Sequence, residues 1–197
     1  MLKDLIQKKT PFIDVRSPAE FNQGSIPLSI NIPILNDMER EIVGKAFKSS
    51  GQETAKKIGY ELVSGKIKDD RVNGWKKFIE ANPRSWLYCA RGGLRSEIAQ
   101  SWLKDIGLII DRVDGGFKSI RNFCLEVFEH INEDNKDWIV LAGKTGSDKT
   151  GMINKLNNSI DLEGLANHRG SAFGARSTKQ PSPVNFENSL AFKYIHH

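Results

Sequence analysis

Short apolar runs alternate with longer amphipathic stretches along the first 131 residues. Short runs rich in β-forming residues are typical of buried strands. They are PFIDVRS at 11–17, SWLYC at 85–89 and LIIDRV at 108–113. Longer stretches with helical patterns occur at 38–63, 70–80, 95–107 and 117–131. Strands that alternate with helices predict an α/β fold in which helices cover both faces of a parallel sheet.

Two segments interrupt this alternation. Residues 17–33 are punctuated by glycine and proline and are predicted to be mostly loop. Residues 132–137 are polar and predict a linker, after which WIVLAGKTGSDKTGMINKL predicts a new strand, loop and helix. The sequence therefore predicts one domain at 1–131 and a partial P-loop NTPase-like segment at 138–197.

Composition narrows the class of protein only slightly. The net charge is +5, and residues 136–197 carry eight basic against five acidic side chains, which suits an anionic partner weakly. No apolar run approaches the roughly 18 residues of a membrane span, and the first residues lack the pattern of a signal peptide. We therefore expect a cytoplasmic protein without a membrane partner. The two cysteines are too few for a disulfide framework or a zinc site, so no metal site is predicted.

The segment YCARGGLRS places a thiol at the end of a predicted strand and before a predicted helix. In an α/β sheet this edge is where ligands bind. Gly92 and Gly93 let backbone N–H groups turn inward, while Arg91 and Arg95 bring positive charge. These groups are expected to lower the pKa of the Cys89 thiol and to cradle an anion on its sulfur. The plainer alternative is a buried strand-end thiol beside a turn.

Two further points concern the thiols. Five residues separate Cys89 from Arg95, which is also the spacing of cysteine-dependent phosphatases. Both chemistries need a thiolate in an anion cradle, so the spacing leaves phosphatase and sulfur transfer open. Cys124 lies in the apolar stripe of a predicted helix and is expected to be a core residue.

A second phosphate signal is GKTGSDKT, at 143–150. Gly143, Lys149 and Thr150 fit the P-loop pattern, but Asp148 stands where the pattern requires its second glycine. We expect this carboxylate to weaken or abolish nucleotide binding, and Mg²⁺ binding through Thr150 to be weak. The alternative is a strand, turn and helix without a ligand. Residues 161–174, with His168, Arg169 and Ser171, are predicted to form a functional loop of unknown purpose.

The segment FIDVRSPAEFNQGSIPLSINIP resembles the N-terminal signature of rhodanese-like domains. The resemblance implies that Cys89 is the sulfur-carrying nucleophile. It also implies that Asp14 and Arg16 organise the sheet edge near the thiol loop. Because some phosphatases share this fold, the fold by itself leaves that alternative open.

Over its whole length the chain resembles the bacterial tRNA 2-selenouridine synthase family. The resemblance is carried by GQETAKKIGYELVSGKIKDDRV, YCARGGLRS, RVDGGFKSIRNF, GKTGSDKT, DLEGLANHRGSAFG and KQPSPVNFEN. It implies that the sulfur of 2-thiouridine in tRNA is replaced by selenium from selenophosphate, through an intermediate made with geranyl diphosphate. No tightly bound cofactor is implied, and a selenophosphate-supplying enzyme is an expected partner.

The same resemblance assigns the site residues by position. The thiol half is assigned to Cys89, Arg91, Gly92, Gly93 and Arg95. The phosphate-binding half is assigned to Gly143, Gly146, Lys149 and Thr150. The family continues beyond the end of this chain, so a truncated form is expected. The open alternatives are a stand-alone rhodanese-type sulfurtransferase, a cysteine phosphatase and a non-catalytic tRNA- or partner-binding module.

Overall fold

The protein is described by a computed structural model that covers residues 1–144, 146–170 and 173–197. Its sheet has four parallel strands in the spatial order β2-β1-β3-β4. The strands are β1 (Phe12–Asp14), β2 (Ser29–Asn31), β3 (Trp86–Tyr88) and β4 (Asp111–Arg112). The α/β class with a parallel sheet is thereby confirmed.

Helices lie before, between and after the strands along the chain. They are α1 (Leu2–Gln7), α2 (Pro18–Gln23), α3 (Asp37–Leu62), α4 (Gly65–Ala81), α5 (Leu94–Asp105) and α6 (Gly116–Glu129). Helix α3 is two helical halves, because Gly51 breaks it with a φ of 81°, a conformation that glycine adopts without cost. None of the helices in the described ranges is long and apolar enough to cross a membrane.

The chain divides into two compact units, one of residues 9–120 and one of residues 1–8 with 121–197. The first unit contains the whole sheet. All three residues of β1 are buried because the strand lies between two neighbours. The Ile13 side chain of β1 packs with Leu87 of β3, Trp75 of α4 and Leu103 of α5 in one hydrophobic core. This core fixes the edge of the sheet from which the thiol loop leaves.

The second unit is helical. Its later helices are α7 (Lys149–Ile153), α8 (Leu162–Leu165) and α9 (Pro183–His196). Helix α9 is capped by the side chain of Ser182, which precedes its first residue, and the helix buries Ala191, Phe192 and Ile195. It packs against α1. The helix predicted at 117–131 is found as α6, in which Ile120 and Cys124 are fully buried.

The prediction that residues 17–33 are mostly loop was wrong. Ser17 and Glu20 form a reciprocal capping box, and Pro18 occupies the first turn, so a short helix begins there. Residues 29–31 then pair with β1 as an edge strand. Both elements were missed because each is too short to show a hydrophobic period and because glycine and proline surround them.

The strand predicted from WIVLA is not formed either. In the described ranges no residue of 138–142 pairs with another strand. Ile139 and Val140 are 93% and 86% exposed. A strand is stable only when a neighbour takes its backbone hydrogen bonds, and here nothing in the described chain supplies one.

Candidate active site

Cys89 follows β3 at the carboxyl end of the sheet, as its sequence position predicts. The residue is buried, with 3% of its surface exposed. The loop that leaves it is backed by the start of α6, where the N–H of Phe117 donates to the Cys89 carbonyl at 2.8 Å and that of Lys118 to Ala90 at 3.0 Å. The start of α6 therefore fixes the backbone of the thiol loop at Cys89 and Ala90.

The Cys89 sulfur has polar neighbours of its own. Its Sγ lies 3.3 Å from Oγ of the buried Ser96 and 3.7 Å from the Gly93 carbonyl. Burial raises the pKa of the thiol, but hydrogen bonds from Ser96 and from the Arg91 and Ser96 backbone, with the charge of Arg95, outweigh it. The pKa of Cys89 is therefore lowered, which increases the fraction of the thiol that is ionised at a given pH.

The two glycines of the loop differ in their surroundings. Gly92 has a φ of 62°, and a Cβ there would lie 2.6 Å from the Gly115 nitrogen. Gly116 has a φ of 57°, and a Cβ there would collide with the Cys89 carbonyl and the Gly92 nitrogen. Gly93 is the N-cap of α5 and has open space around it. Gly92 therefore permits a close approach of two backbones, whereas Gly93 leaves room above the loop.

Backbone N–H groups in this loop remain available to a ligand. Within the described residues, those of Gly92, Gly93 and Leu94 have no hydrogen-bond acceptor. They lie at the start of the 12-residue helix α5, whose N-terminal end favours negative charge. The arrangement can therefore hold an anion next to the Cys89 sulfur.

The two predicted arginines have different positions. The Arg91 side chain is exposed, so its contribution to the thiol is made by its backbone N–H. Arg95 is turned to Glu20 of α2, with its two terminal nitrogens 2.5 and 3.0 Å from the two carboxylate oxygens. The loop thus carries one solvated and one paired guanidinium group.

Asp14 and Arg16 form a buried ion pair at the end of β1. The Arg16 Nη2 lies 2.6 Å from an Asp14 oxygen and donates to the Gly24 carbonyl at 2.7 Å. The guanidinium also lies 3.9 Å from the ring centroid of Phe117, at the start of α6. The pair ties β1 to the loop before β2 and to the segment that backs the thiol loop.

A groove of about 760 Å³ borders the thiol loop at Leu94 and Arg95. Its walls are apolar and come from both halves of α3 and from α5. They include Val43, Phe47, Ala55, Tyr60, Ile98 and Trp102. Lys48 and Lys56 stand at the groove and have no acidic partner among the described residues. An apolar chain with an anionic end matches this lining.

The predicted phosphate loop at 143–150 is exposed in its described part except at Lys149, which is half-buried. Lys149 Nζ donates to the carbonyls of Gly143 and Lys144 at 2.9 and 3.0 Å. Asp148 has a φ of 56°, and its carboxylate covers Gly151 in the first turn of α7. Gly146 has a φ of 86° and open space around it, and Thr145 lies outside the described residues. Thr150 is the second residue of α7.

The predicted functional loop at 161–174 is described except for residues 171 and 172, so Ser171 falls outside it. Asp161 caps the short helix α8. His168 Nδ1 accepts the N–H of Gly170 at 3.0 Å, and the N–H of Arg169 donates to the Gly174 carbonyl at 2.9 Å. These are local contacts that shape a turn.

Four residues of the thiol site were missed by sequence reasoning. They are Glu20, Ser96, Arg112 and Gly116. Ser96 is the third residue of α5, and the available signal was a serine in the first turn of the helix that follows the thiol loop. Arg112 Nη1 reaches the Gly92 carbonyl at 3.4 Å from the adjacent strand β4. Glu20 lies 75 positions from its partner, and no local pattern could link them.

Comparison with known proteins gives two family matches. The rhodanese-like domain model matches residues 1–123, and the model of the tRNA 2-selenouridine synthase AAA domain matches residues 136–197. A solved N-terminal domain of a protein described as ATP/GTP-binding, from Clostridium difficile 630, is 33% identical. It has a TM-score of 0.55 and covers 59% of this chain and 90% of its own.

Curated relatives are similar along almost the whole chain. A tRNA 2-selenouridine synthase of Shewanella denitrificans is 47% identical over 98% of this chain, and one of Pseudomonas syringae pv. syringae is 49% identical over 97%. In each case the match covers 52% of the relative, so the chain spans about half the length of these proteins. The chain therefore belongs to the rhodanese-like domain family, and it is similar over nearly its full length to tRNA 2-selenouridine synthases.

Proposed function

We propose that this chain carries the thiol-dependent half of a selenium- or sulfur-transfer reaction on tRNA, in which 2-thiouridine becomes 2-selenouridine. The observation that carries the proposal is the Cys89 thiol, with its lowered pKa, in a loop where the N–H groups of Gly92, Gly93 and Leu94 have no acceptor among the described residues. A thiolate is the form of cysteine that attacks a sulfur or selenium atom. The similarity to tRNA 2-selenouridine synthases supports the choice of substrate.

The transfer step has a simple form with thiosulfate or selenosulfate as the donor. The Cys89 thiolate attacks the outer sulfur or selenium, the bond from that atom to the sulfonate sulfur breaks, and sulfite leaves with the electron pair. The product is a persulfide or a selenenylsulfide anion on Cys89. Hydrogen bonds from Ser96 and from the loop N–H groups stabilise an anion at this position.

The phosphatase alternative is disfavoured by one contact. A phosphatase of this loop length needs the arginine to hold the phosphoryl group. Both terminal nitrogens of Arg95 instead contact the Glu20 carboxylate. A phosphoryl group would have to displace that carboxylate before the arginine could bind it.

The proposed donor is selenophosphate, and the proposed intermediate is the tRNA S-geranylated with geranyl diphosphate. The groove beside Leu94 supports this second part, because a geranyl group on the departing sulfur needs an apolar surface next to the thiol loop. Gly143, Gly146, Lys149 and Thr150 are proposed to bind the phosphorylated donor, and no tightly bound cofactor is needed. Mg²⁺ binding through Thr150 is proposed to be weak.

The proposed setting is the cytoplasm, where tRNA and a selenophosphate-supplying enzyme are the expected partners. The basic excess of the chain supports binding to a polyanion. Recognition of a single base in an anticodon loop requires a pocket as well as charge. The thiol loop and its groove provide one.

The test is mass spectrometry of the folded protein after incubation with selenosulfate or thiosulfate. We expect one selenium or one sulfur atom on the Cys89 peptide and none on the Cys124 peptide. A folded sample with unmodified Cys89 would contradict the proposed chemistry. Nucleoside analysis of tRNA from cells with and without this gene then tests the substrate, and unchanged 2-selenouridine would contradict that part.

A further inference from the structure

The carboxylate of Glu20 and the guanidinium of Arg95 face each other as two forks. Arg95 Nη1 lies 2.5 Å from Oε2, and Nη2 lies 3.0 Å from Oε1. Parallel N–H···O bonds of this kind are among the stronger contacts in proteins. The same pair of nitrogens is the part of an arginine that binds a phosphoryl group. Glu20 therefore occupies the position that such a group would take.

The Glu20 carboxylate is held in place by its own helix. Its Oε2 accepts the N–H of Ser17 at 3.0 Å, and the N–H of Glu20 donates to Ser17 Oγ at 3.5 Å. This capping box starts α2 directly after the strand-end residues of β1. Burial raises the pKa of Glu20, but the hydrogen bonds and charge of Arg95 bring it to about 2. The carboxylate is thus fixed and ionised at neutral pH.

The other positive charges near this pair do not replace Arg95 as the partner of the Glu20 carboxylate. Arg40 Nε lies 3.9 Å from Glu20, in a more exposed position. The Arg91 guanidinium is exposed to solvent and has no ion partner in the described chain. An oxyanion in the loop would meet the backbone N–H groups, and it would meet a guanidinium already neutralised by Glu20.

We propose that Glu20 is a specificity-determining residue of the thiol loop, which keeps Arg95 from binding a tetrahedral oxyanion while leaving its charge near the Cys89 sulfur. This role of Glu20 rests on the proposed function. A donor such as thiosulfate leaves a sulfite ion at the loop when its outer sulfur is transferred to Cys89, because sulfite departs with the electron pair of the broken S–S bond. A weak hold on that ion allows it to depart, whereas a phosphatase needs a strong one.

The test measures how well inorganic phosphate protects Cys89 from alkylation by iodoacetamide, followed on the Cys89 peptide by mass spectrometry. Glu20→Gln removes the charge but keeps an oxygen for the capping box. We expect its half-protecting phosphate concentration to be about tenfold lower than that of the wild type. Ser17→Ala is the matched control: it weakens the same capping box, leaves the ion pair, and should match the wild type.

Two further variants keep the test decisive. Glu20→Asp retains the charge with a shorter reach, so its half-protecting phosphate concentration should be lower than that of the wild type but higher than that of Glu20→Gln. If Glu20→Gln does not fold, the comparison of Glu20→Asp with the wild type still tests the proposal. Adding Arg95→Gln to Glu20→Gln should remove the gain.

The proposal is overturned if the phosphate dependence is the same with and without Glu20, if Ser17→Ala shifts it equally, or if the gain survives the loss of Arg95. No sulfur or selenium donor takes part in this experiment. Failure of the proposed function would therefore appear separately, as an absent adduct on Cys89.

Discussion

Two loops in this chain contain glycines and basic residues and are followed by a helix, which are features of an anion-binding loop. They differ in how the rest of the protein supports them. The loop at 89–95 leaves a strand that pairs on both sides, and its backbone is packed against Gly115 and Gly116. The loop at 143–150 follows a segment that pairs with no strand in the described chain, and its described part is exposed except at Lys149. Only the first is held by its surroundings.

The difference shows that a sheet edge, rather than the composition of a loop, makes an anion site. In the thiol loop, the backbone at Gly92 packs closely against Gly115 and Gly116, and the carbonyls of Cys89 and Ala90 accept N–H groups from the start of α6. In the second loop, Lys149 bonds to carbonyls of its own segment, and the Asp148 carboxylate covers the start of α7. Local side chains there take the places of a ligand.

The largest expected effect separates the two thiols. Cys89→Ser should lower sulfur or selenium transfer by about a thousandfold or more, because an alcohol of ordinary pKa replaces the thiolate. Cys124→Ala is the matched control, since that thiol is fully buried in α6 and has no polar partner at its sulfur among the described residues. Steady-state rates with thiosulfate measure both. Comparable losses in two folded variants would contradict the assignment of Cys89.

A smaller effect tests how the thiol loop is supported. Gly92→Ala should lower the free energy of unfolding by about 2 kcal/mol, because a Cβ would meet the Gly115 nitrogen and the φ is positive. Gly93→Ala, with open space around it, should cost less than about 1 kcal/mol.

Gly146 has a positive φ but no close neighbour. Gly146→Ala therefore makes the same measurement in the loop at 143–150. Urea denaturation gives all three values, and we expect a loss of about 1 kcal/mol for Gly146→Ala, from its positive φ alone. Equal costs at Gly92 and Gly146 would mean that packing does not distinguish the loops.

A change in the second loop should sharpen the comparison. Asp148→Gly removes a negative charge and a non-glycine residue with a φ of 56°. We expect binding of a nucleoside diphosphate to strengthen by about tenfold. A fluorescent nucleotide titration measures this, and adding Lys149→Ala should abolish the gain. If the gain is missing, Asp148 is not what limits phosphate binding at 143–150.

Much of the sheet and the thiol could be predicted from the sequence, because a central strand and its following loop are short and continuous in the chain. The strands around Ile13 and Leu87 have this form, and Cys89 follows directly. Long-range partners could not be predicted. Glu20 meets Arg95 only because α2 and α5 start at the same edge of the sheet. The strand predicted at 138–142 was wrong, since apolar composition does not supply a neighbour.

The pKa values of the two thiols are shifted in opposite directions, which predicts opposite dependences of stability on pH. Burial raises the pKa of Cys124 to about 12, so its contribution to stability is full below the unfolded value of about 8.5 and is lost as pH rises toward 12. Cys89 has a lowered pKa, so its contribution is present above that unfolded value and is lost as pH falls through the folded one. Comparison of Cys124→Ala with the wild type between pH 8 and 10 by urea denaturation should show the first trend.

The most direct test of the account is the pH dependence of alkylation at each cysteine, followed peptide by peptide in the native protein. We predict that the rate at Cys89 reaches half its maximum below the ordinary thiol pKa of about 8.5, and that Ser96→Ala moves this midpoint upward. Cys124 should stay unreactive over the same range. A Cys89 midpoint at or above 8.5, unchanged by Ser96→Ala, would contradict the claim that this loop holds a thiolate.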